Sequence, residues 1–412
     1  MSTAIGRLRG KVALITGASG GQGAVEARMF AAEGATVVLA DIAHAAGVAV
    51  TADIVAAGGR ARFEARAGQD QHALRRRQLR PARQSAIRLP GRDGDDVKAI
   101  NGRAPVKLVW TREDDTRAGF YRPLYYHALK AGLDAQGNIV AWHHRIIGQS
   151  ILTGTAFESM MVKEGVDGTS VEGAATLPYA IANLAVDLHT PKVPVPVQWW
   201  RSVGSTHTAY STEVFVDELA VAAGKDPYAL RRTLLDKHPR HKGVLELAAQ
   251  KAGWSKPLAK GGAGERRGRG IAVHESFNTF VAQVAEVMVK RDGSFRVDRI
   301  VCAVDCGVAV NPDVIRAQME GGIGYGLSAA LHGAITLKDG VIEQSNFHDY
   351  VPLRINEMPV IEVHIAPSAE KPSGVGEPGT PVVAPAVANA LFAATGRRLR
   401  KLPFDTAQLV QA

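Results

Sequence analysis

Two apolar runs open the chain, KVALITGAS at 11–19 and ATVVLAD at 35–41, and both read as buried strands with a helix between them. Past residue 104 the pattern changes to alternating segments mixed with longer amphipathic ones. Strands are predicted at Val106–Thr111, Tyr125–Leu133, Ile139–Ile146, Val281–Val289, Phe295–Val304 and Val360–Ile365. Helices are predicted at Ala209–Ala223, Pro227–Asp236, Lys242–Ala252, Asp313–His332 and Ala384–Thr395. Asn311-Pro312-Asp313 and Asp226-Pro227 supply start signals for two of them, because proline presets the first helical turn and a short polar side chain caps it. Lys338-Asp339-Gly340 marks a hairpin between Ala334–Leu337 and Val341–Gln344. GGAGERRGRG at 261–270 reads as a surface loop. No repeat of solenoid period is visible. The expected architecture is an α+β domain preceded by a truncated α/β Rossmann-like fragment.

The first strand ends at Thr16-Gly17, and Gly17, Gly21 and Gly23 follow with the spacing TGxxxGxG. Such glycines permit a tight strand-to-helix turn that points helix N–H groups at a pyrophosphate. Asp41, at the end of the second strand, stands where a ribose hydroxyl is held. Strand, glycines, helix, strand and acid in that order resemble the N-terminus of a short-chain dehydrogenase/reductase. That family also needs a catalytic Ser and a Tyr-x-x-x-Lys pair. The match to that spacing, Tyr126 and Lys130, lies in a segment that alternates like a strand, which puts both on one sheet face. The fingerprint therefore has no catalytic set behind it, which argues against NAD(P) as a working cofactor.

Residues 60–92 hold ten arginines, no lysine and two acids, Glu64 and Asp70, so they carry nearly all of the chain's net charge of +9. The sequence pI of about 9.6 thus describes this stretch and not a basic enzyme surface. No interleaved aromatic residues or recognition motif accompany the arginines, so nucleic acid is not indicated. Two readings remain: a solvated linker, or GC-rich DNA read out of frame between two unrelated genes, an artefactual or recent fusion. The domain division is 1–66, a dinucleotide-binding fragment; 67–103, an arginine-rich junction; and 104–412.

With 46% hydrophobic residues among 412, the chain can bury a sizeable core. No apolar run approaches the ~20 residues of a membrane helix, and the N-terminus leads directly into a strand, so a cytoplasmic location is expected. Cys302 and Cys306 are too few to ligate an iron–sulfur cluster; the expectation is two small buried residues.

The last part of the chain carries the chemistry. GVGEPGTPVVAPAVANALFAA at 374–394 sets the carboxylate of Glu377 among glycines and prolines just before a helix. On position alone a helix cap and a catalytic carboxylate are equally open. The run closely resembles the catalytic loop of the molybdenum hydroxylases, the xanthine dehydrogenase and aldehyde oxidase superfamily. Further blocks carry the resemblance in order: VKLVWTREDD (106–115), YYHALKAGLDAQGNIVAW (125–142), DGTSVEGAATLPYAIANL (167–184), WWRSVGSTHTAYSTEVFVDELAVAAGKDP (199–227), HESFNTFVAQVAEV (274–287) and VCAVDCGVAVNPDVIRAQMEGGIGYGLSAAL (301–331). Their wording looks most like the large subunit of isoquinoline 1-oxidoreductases.

The resemblance implies a molybdopterin-type molybdenum cofactor held through its pterin, with no side-chain metal ligand. It implies an N-heterocycle or aldehyde as substrate, water as oxygen source, and a small 2Fe-2S subunit as electron acceptor. Glu377 matches the family's general base and Arg201 its pocket arginine. Gln318 and Gly322 match a helix that touches the pterin, and Gly376 flanks the base in the cofactor loop. For Gln318 and Gly322 a plain packed helix is an equal alternative; Glu320 faces away, and His274 and His348 lack metal-ligand spacing. Glycine-rich loops of the MGQG and GGGFGRR types, expected ahead of the VKLVWTRED block, are absent, so the cofactor site is expected to be incomplete. The alternatives are a nicotinamide-dependent dehydrogenase acting through the N-terminal fold and an inactive fusion fragment.

Overall fold

The structure is a computed structural model and describes residues 6, 8–16, 18–41, 43–65 and 108–411. The expectations for Gly17 and for the arginine-rich junction fall outside those residues.

The N-terminal part is a parallel sheet with two crossover helices. Strand β1 (Val12–Thr16) leads into helix α1 (Gly21–Ala32), β2 (Thr36–Asp41), helix α2 (His44–Ala56) and β3 (Arg60–Ala65). Ile15, Val37, Leu39, Ala27, Val50 and Ile54 form its core. The third strand went unforeseen because arginines hid a period-two pattern: Arg60 and Arg62 point outward while Ala61 and Phe63 are half-buried. A fourth strand, β4 (Leu108–Val109), pairs in parallel with β1. The strand expected at 106–111 thus pairs, over Leu108–Val109, with the N-terminal sheet, in the order β3-β2-β1-β4. It covers the edge that β1 would otherwise leave open.

After helix α3 (Arg112–Ala118) come β5 (Tyr125–Leu133) and β6 (Ile139–Gly148), antiparallel as the Asp134–Asn138 turn requires. A short helix α4 (Glu158–Met161), a two-residue hairpin β7 (Val162–Lys163) and β8 (Val166–Asp167), and a one-turn helix α5 (Gly168–Val171) follow. Strand β9 (Asn183–His189), not anticipated, pairs in parallel with β6. Tyr126 and Lys130 lie exposed on β5, so their spacing is a strand repeat as expected.

Helices α6 (Ser205–Ala222), α7 (Pro227–Leu234) and α8 (Pro239–Ala252) precede the main sheet. That sheet has the order β10-β11-β12-β15, built from β10 (Arg266–Ser276), β11 (Thr279–Val289), β12 (Phe295–Asp305) and β15 (Val360–Ile365). Helix α9 (Pro312–His332) and the hairpin β13 (Leu337–Lys338) and β14 (Val341–Ile342) lie between β12 and β15, and helix α10 (Val383–Thr395) comes last. Strands β11 and β12 are buried on both faces. Val281, Ala285, Cys302 and Val304 meet α9 and α10 on one side, while Ala282, Val284, Val301 and Ala303 join the α7–α8 core on the other. Cys302 and Cys306 are free and buried, and burial pushes the Cys302 thiol up to about 12.

The loop expected at 261–270 is overturned from Arg266 onward, since those residues begin β10. Its glycines are there for close approach. A Cβ on Gly270 would lie 2.2 Å from the Ala390 amide nitrogen and 2.4 Å from the Ala386 carbonyl oxygen. Only hydrogen fits between strand and helix at that point. Gly270→Ala should therefore push α10 outward and cost about 1–3 kcal/mol, readable as a lowered denaturation midpoint. An unchanged midpoint would mean that α10 is not seated this closely.

Candidate active site

Three segments far apart in sequence meet at one place. The first is the turn that ends in α6. The Val203 amide donates to the Trp200 carbonyl at 2.8 Å, and Ser202 and Val203 take left-handed backbone angles, φ 68° and 47°. Two consecutive non-glycine residues in that region, one of them β-branched, cost about 1–3 kcal/mol each and persist where the surroundings enforce them. The turn presents the Ser202 amide outward, and that amide donates to Glu377 Oε1 at 3.1 Å.

Arg201 reaches the second and third segments. Its Nε donates to the Gly376 carbonyl oxygen at 2.7 Å and its Nη2 donates to Gln318 Oε1 at 3.1 Å; Nη2 also closes on the Gly376 carbonyl. The guanidinium lies 5.6 Å from the centroid of the Tyr325 ring. Tyr325 stacks on Trp200 with centroids 4.9 Å apart, and the Arg122 guanidinium covers Trp200 at 4.3 Å. Gln318 and Tyr325 stand two helical turns apart on α9, so one helix face serves both contacts.

The loop carrying Glu377 is fixed from beneath. The Glu377 carbonyl accepts from the Thr380 amide at 2.9 Å, and the Gly379 carbonyl accepts from the buried Gln283 side chain at 2.8 Å. Gly322 packs against this loop, since a Cβ there would lie 3.3 Å from Thr380 Oγ1. Helix α10 begins at Val383 without a side-chain cap. The carboxylate of Glu377 is thus not the cap of that helix; it points back to the turn before α6.

Glu377, Arg201, Gln318, Gly322 and Gly376 therefore stand together, on the α6 turn, α9 and the 374–380 loop. The dinucleotide residues stand apart on the N-terminal sheet. Gly21 opens α1 with φ 53° and Gly23 is buried within it. Asp41 accepts from the Ser19 and Ala43 amides, both at 2.9 Å. Each of its two oxygens holds one amide of the turn, so the carboxylate is fixed at the end of β2. Glu320 is exposed, His348 is exposed beside Asp349, and His274 is buried at the end of β10.

Sequence reasoning did not find Trp200, Tyr325 and Arg122 as one stack, the donor role of the Ser202 amide, or Glu172. Glu172 Oε1 accepts from the Ser205 amide at 3.1 Å, at the start of α6. Its signal was an acid directly before Gly173, whose φ of 75° turns the chain under His274 and Thr208. Three histidines line the far side of the turn: His207 Nδ1 lies 3.2 Å from His127 Nε2, and His127 Nδ1 lies 2.8 Å from His144 Nε2. Burial brings His127 down to about 3 and His144 to about 4, so this wall is neutral. A narrow cleft lined by Arg122, Tyr125, Trp199, Trp200 and His207 adjoins the turn. A broader, open hollow between α7 and α8 touches none of these residues.

The arrangement fits a polar, anionic group laid beside the turn. The Ser202 and Thr380 hydroxyls, which can donate to such a group, are buried without a hydrogen-bond partner among the described residues. Gly374 and Gly376 have open space where a Cβ would project, so backbone can be approached there. The pinned Arg201 adds a fixed positive charge.

Residues 97–235 and 237–359 each match a model of the molybdopterin cofactor-binding domain. Isoquinoline 1-oxidoreductase subunit beta of Brevundimonas diminuta is 33% identical over 314 residues, which are 76% of this chain and 39% of that protein. The chain therefore spans less than half of that relative's length. Near the N-terminus, 2,5-dichloro-2,5-cyclohexadiene-1,4-diol dehydrogenase LinX of Sphingobium indicum is 54% identical over 57 residues, 14% of this chain and 23% of that enzyme. Quinoline 2-oxidoreductase from Pseudomonas putida 86 shares the fold with a TM-score of 0.63 at 12% identity, over 76% of this chain and 65% of that one. Through its paired molybdopterin cofactor-binding domains the chain belongs to the molybdenum hydroxylase family.

Proposed function

We propose that this chain forms the late wall of a molybdopterin site and carries the general base of an oxidoreductase that hydroxylates an N-heterocycle or an aldehyde with water as oxygen source. The convergence of Glu377, Arg201 and Gln318 supports this reading above all. Arg201, Gln318, Gly322 and Gly376 would hold the cofactor, which when bound supplies an activated oxygen and takes up two electrons. Glu377 would be the proton acceptor, taking up on its carboxylate the proton released when water supplies the oxygen. The Ser202 amide holds one carboxylate oxygen at 3.1 Å and so fixes the direction in which the carboxylate accepts. Arg201, pinned by the Gly376 carbonyl, stabilises negative charge developing on the substrate without having to reorganise. The Trp200–Tyr325 stack offers a flat apolar wall for a planar substrate.

The proposed unit for this work is 104–412, with 1–66 a dehydrogenase-derived fragment and 67–103 the junction. Electrons pass to a small 2Fe-2S subunit, in the cytoplasm. No helix among the described residues is long and apolar enough to cross a membrane. The dehydrogenase reading has less support, because Tyr126 and Lys130 lie on β5, in a different sheet from the glycine-bearing N-terminal strands.

The test grafts residues 104–412 behind the N-terminal portion of the isoquinoline relative's subunit, supplies that enzyme's small subunit, and measures molybdenum and pterin. Near-stoichiometric cofactor with isoquinoline hydroxylation is expected. A well-folded graft without molybdenum would overturn the proposal.

A further inference from the structure

We propose that Glu172 is a positioning residue for the Arg201–Glu377 pair, its ionised carboxylate clamping the left-handed Ser202–Val203 turn through the amides at the start of α6. This rests on the proposed role of Glu377. The carboxylate accepts from the Ser205 amide at 3.1 Å, at the positive end of an 18-residue helix. The segment that carries it is locked to the same turn twice more. Thr208 Oγ1 donates to the Glu172 carbonyl at 2.7 Å. Gly204 lies so close to Thr169 that a Cβ would come within 1.8 Å of its carbonyl oxygen. Three residues before Ser205, the Ser202 amide makes the contact to Glu377. Loosening the helix start therefore loosens the donor that aims the base.

The clamp changes strength with protonation. Burial pushes Glu172 up to about 7, with Asp167 and Glu275 opposing its charge and the Ser205 and Gly204 amides favouring it. The other ionisable groups facing it are uncharged across neutral pH. Burial brings His274 on β10 down to about 4 and lifts Tyr125 on β5 to about 12, and it holds His207 on α6 well below its ordinary range. An ionised carboxylate accepts N–H bonds about twice as strongly as a neutral one, so the turn is tight above pH 7 and slack below it. Global stability runs the other way. A folded-state value above the unfolded one favours the fold fully below the ordinary carboxylate range, and that contribution is lost as pH rises through 7.

Amide hydrogen exchange across 201–206, corrected for the intrinsic pH dependence, tests this without any cofactor. In the full chain, protection of Ser202 and Ser205 should rise together by roughly tenfold as pH passes 7. In Glu172→Gln both should stay low and flat with pH, while Glu172→Asp should keep a pH step. Global denaturation should show Glu172→Gln matching the parent at pH 5 and exceeding it at pH 8.5. Flat protection in the parent overturns the proposal even if the variants do not fold. So does a step at Ser205 with none at Ser202, which would make Glu172 a plain helix cap. A cofactor-free graft would instead count against the hydroxylase reading.

Discussion

Glu377→Gln in the grafted enzyme is expected to lower turnover by ~10²–10⁴ while molybdenum content stays at the parental level. Glutamine keeps the shape of the side chain, and its carbonyl oxygen can still accept from the Ser202 amide, so the loop that also carries Gly376 and Gly379 keeps its bonds to Arg201 and Gln283. What it loses is the capacity to accept a proton. Arg201→Met should behave differently. It removes the donor to both the Gly376 carbonyl and Gln318, so loading should weaken along with a loss of roughly 2–4 kcal/mol in transition-state stabilisation. A Glu377→Gln enzyme with full metal and near-parental rate would reduce the carboxylate to an anchor for the turn.

How much of this was visible in the sequence depends on the range of the interaction. Strands β5 and β15 agree with the expected bounds to the residue, because Tyr125–Leu133 ends in a strong turn and Val360–Ile365 is a short apolar run. The start of α7 at Pro227 agrees to the residue, while α6, α8, α9 and α10 begin one to four residues before the expected positions. Helix α6 begins at Ser205 and not Ala209, and its first amide is taken by Glu172, a partner 33 residues earlier in the chain. Glycines misled at 266–270, where they serve helix contact and not a loop. In the site, Glu377 and Arg201 were legible from their motifs, but the motifs could not show that Arg201 binds the Glu377 loop itself. That contact joins positions 175 residues apart. The Trp200–Tyr325 stack was equally invisible, since each residue alone is an ordinary aromatic.

The scaffold beneath the site rests on one buried ionic cluster, and breaking it should cost about 3–5 kcal/mol. Glu213 on α6 is 1% exposed and Arg231 on α7 is fully buried. The Arg231 Nε donates to Glu213 Oε2 at 2.8 Å, and the same oxygen accepts from the Val273 amide of β10 at 3.0 Å. The Tyr179 hydroxyl donates to Oε1 at 2.5 Å, and Arg398 pairs with Asp217 at 2.7 Å one turn further along α6. Four segments are thereby held to the helix that follows the Ser202–Val203 turn. Glu213→Leu removes the acceptor of three donors and leaves the buried Arg231 guanidinium only its longer 3.7 Å pairing with Asp217, which Arg398 shares. The double change Glu213→Leu with Arg231→Met strands no charge, so it should recover much of the loss. Urea denaturation of the two variants separates net charge-pair energy from the penalty of an orphaned charge. A single variant within about 1 kcal/mol of the parent would mean that water reaches Arg231, which its complete burial argues against. Because α6 begins at the strained turn, the single variant should also raise exchange at Ser202, tying the stability of the core to the aim of the base.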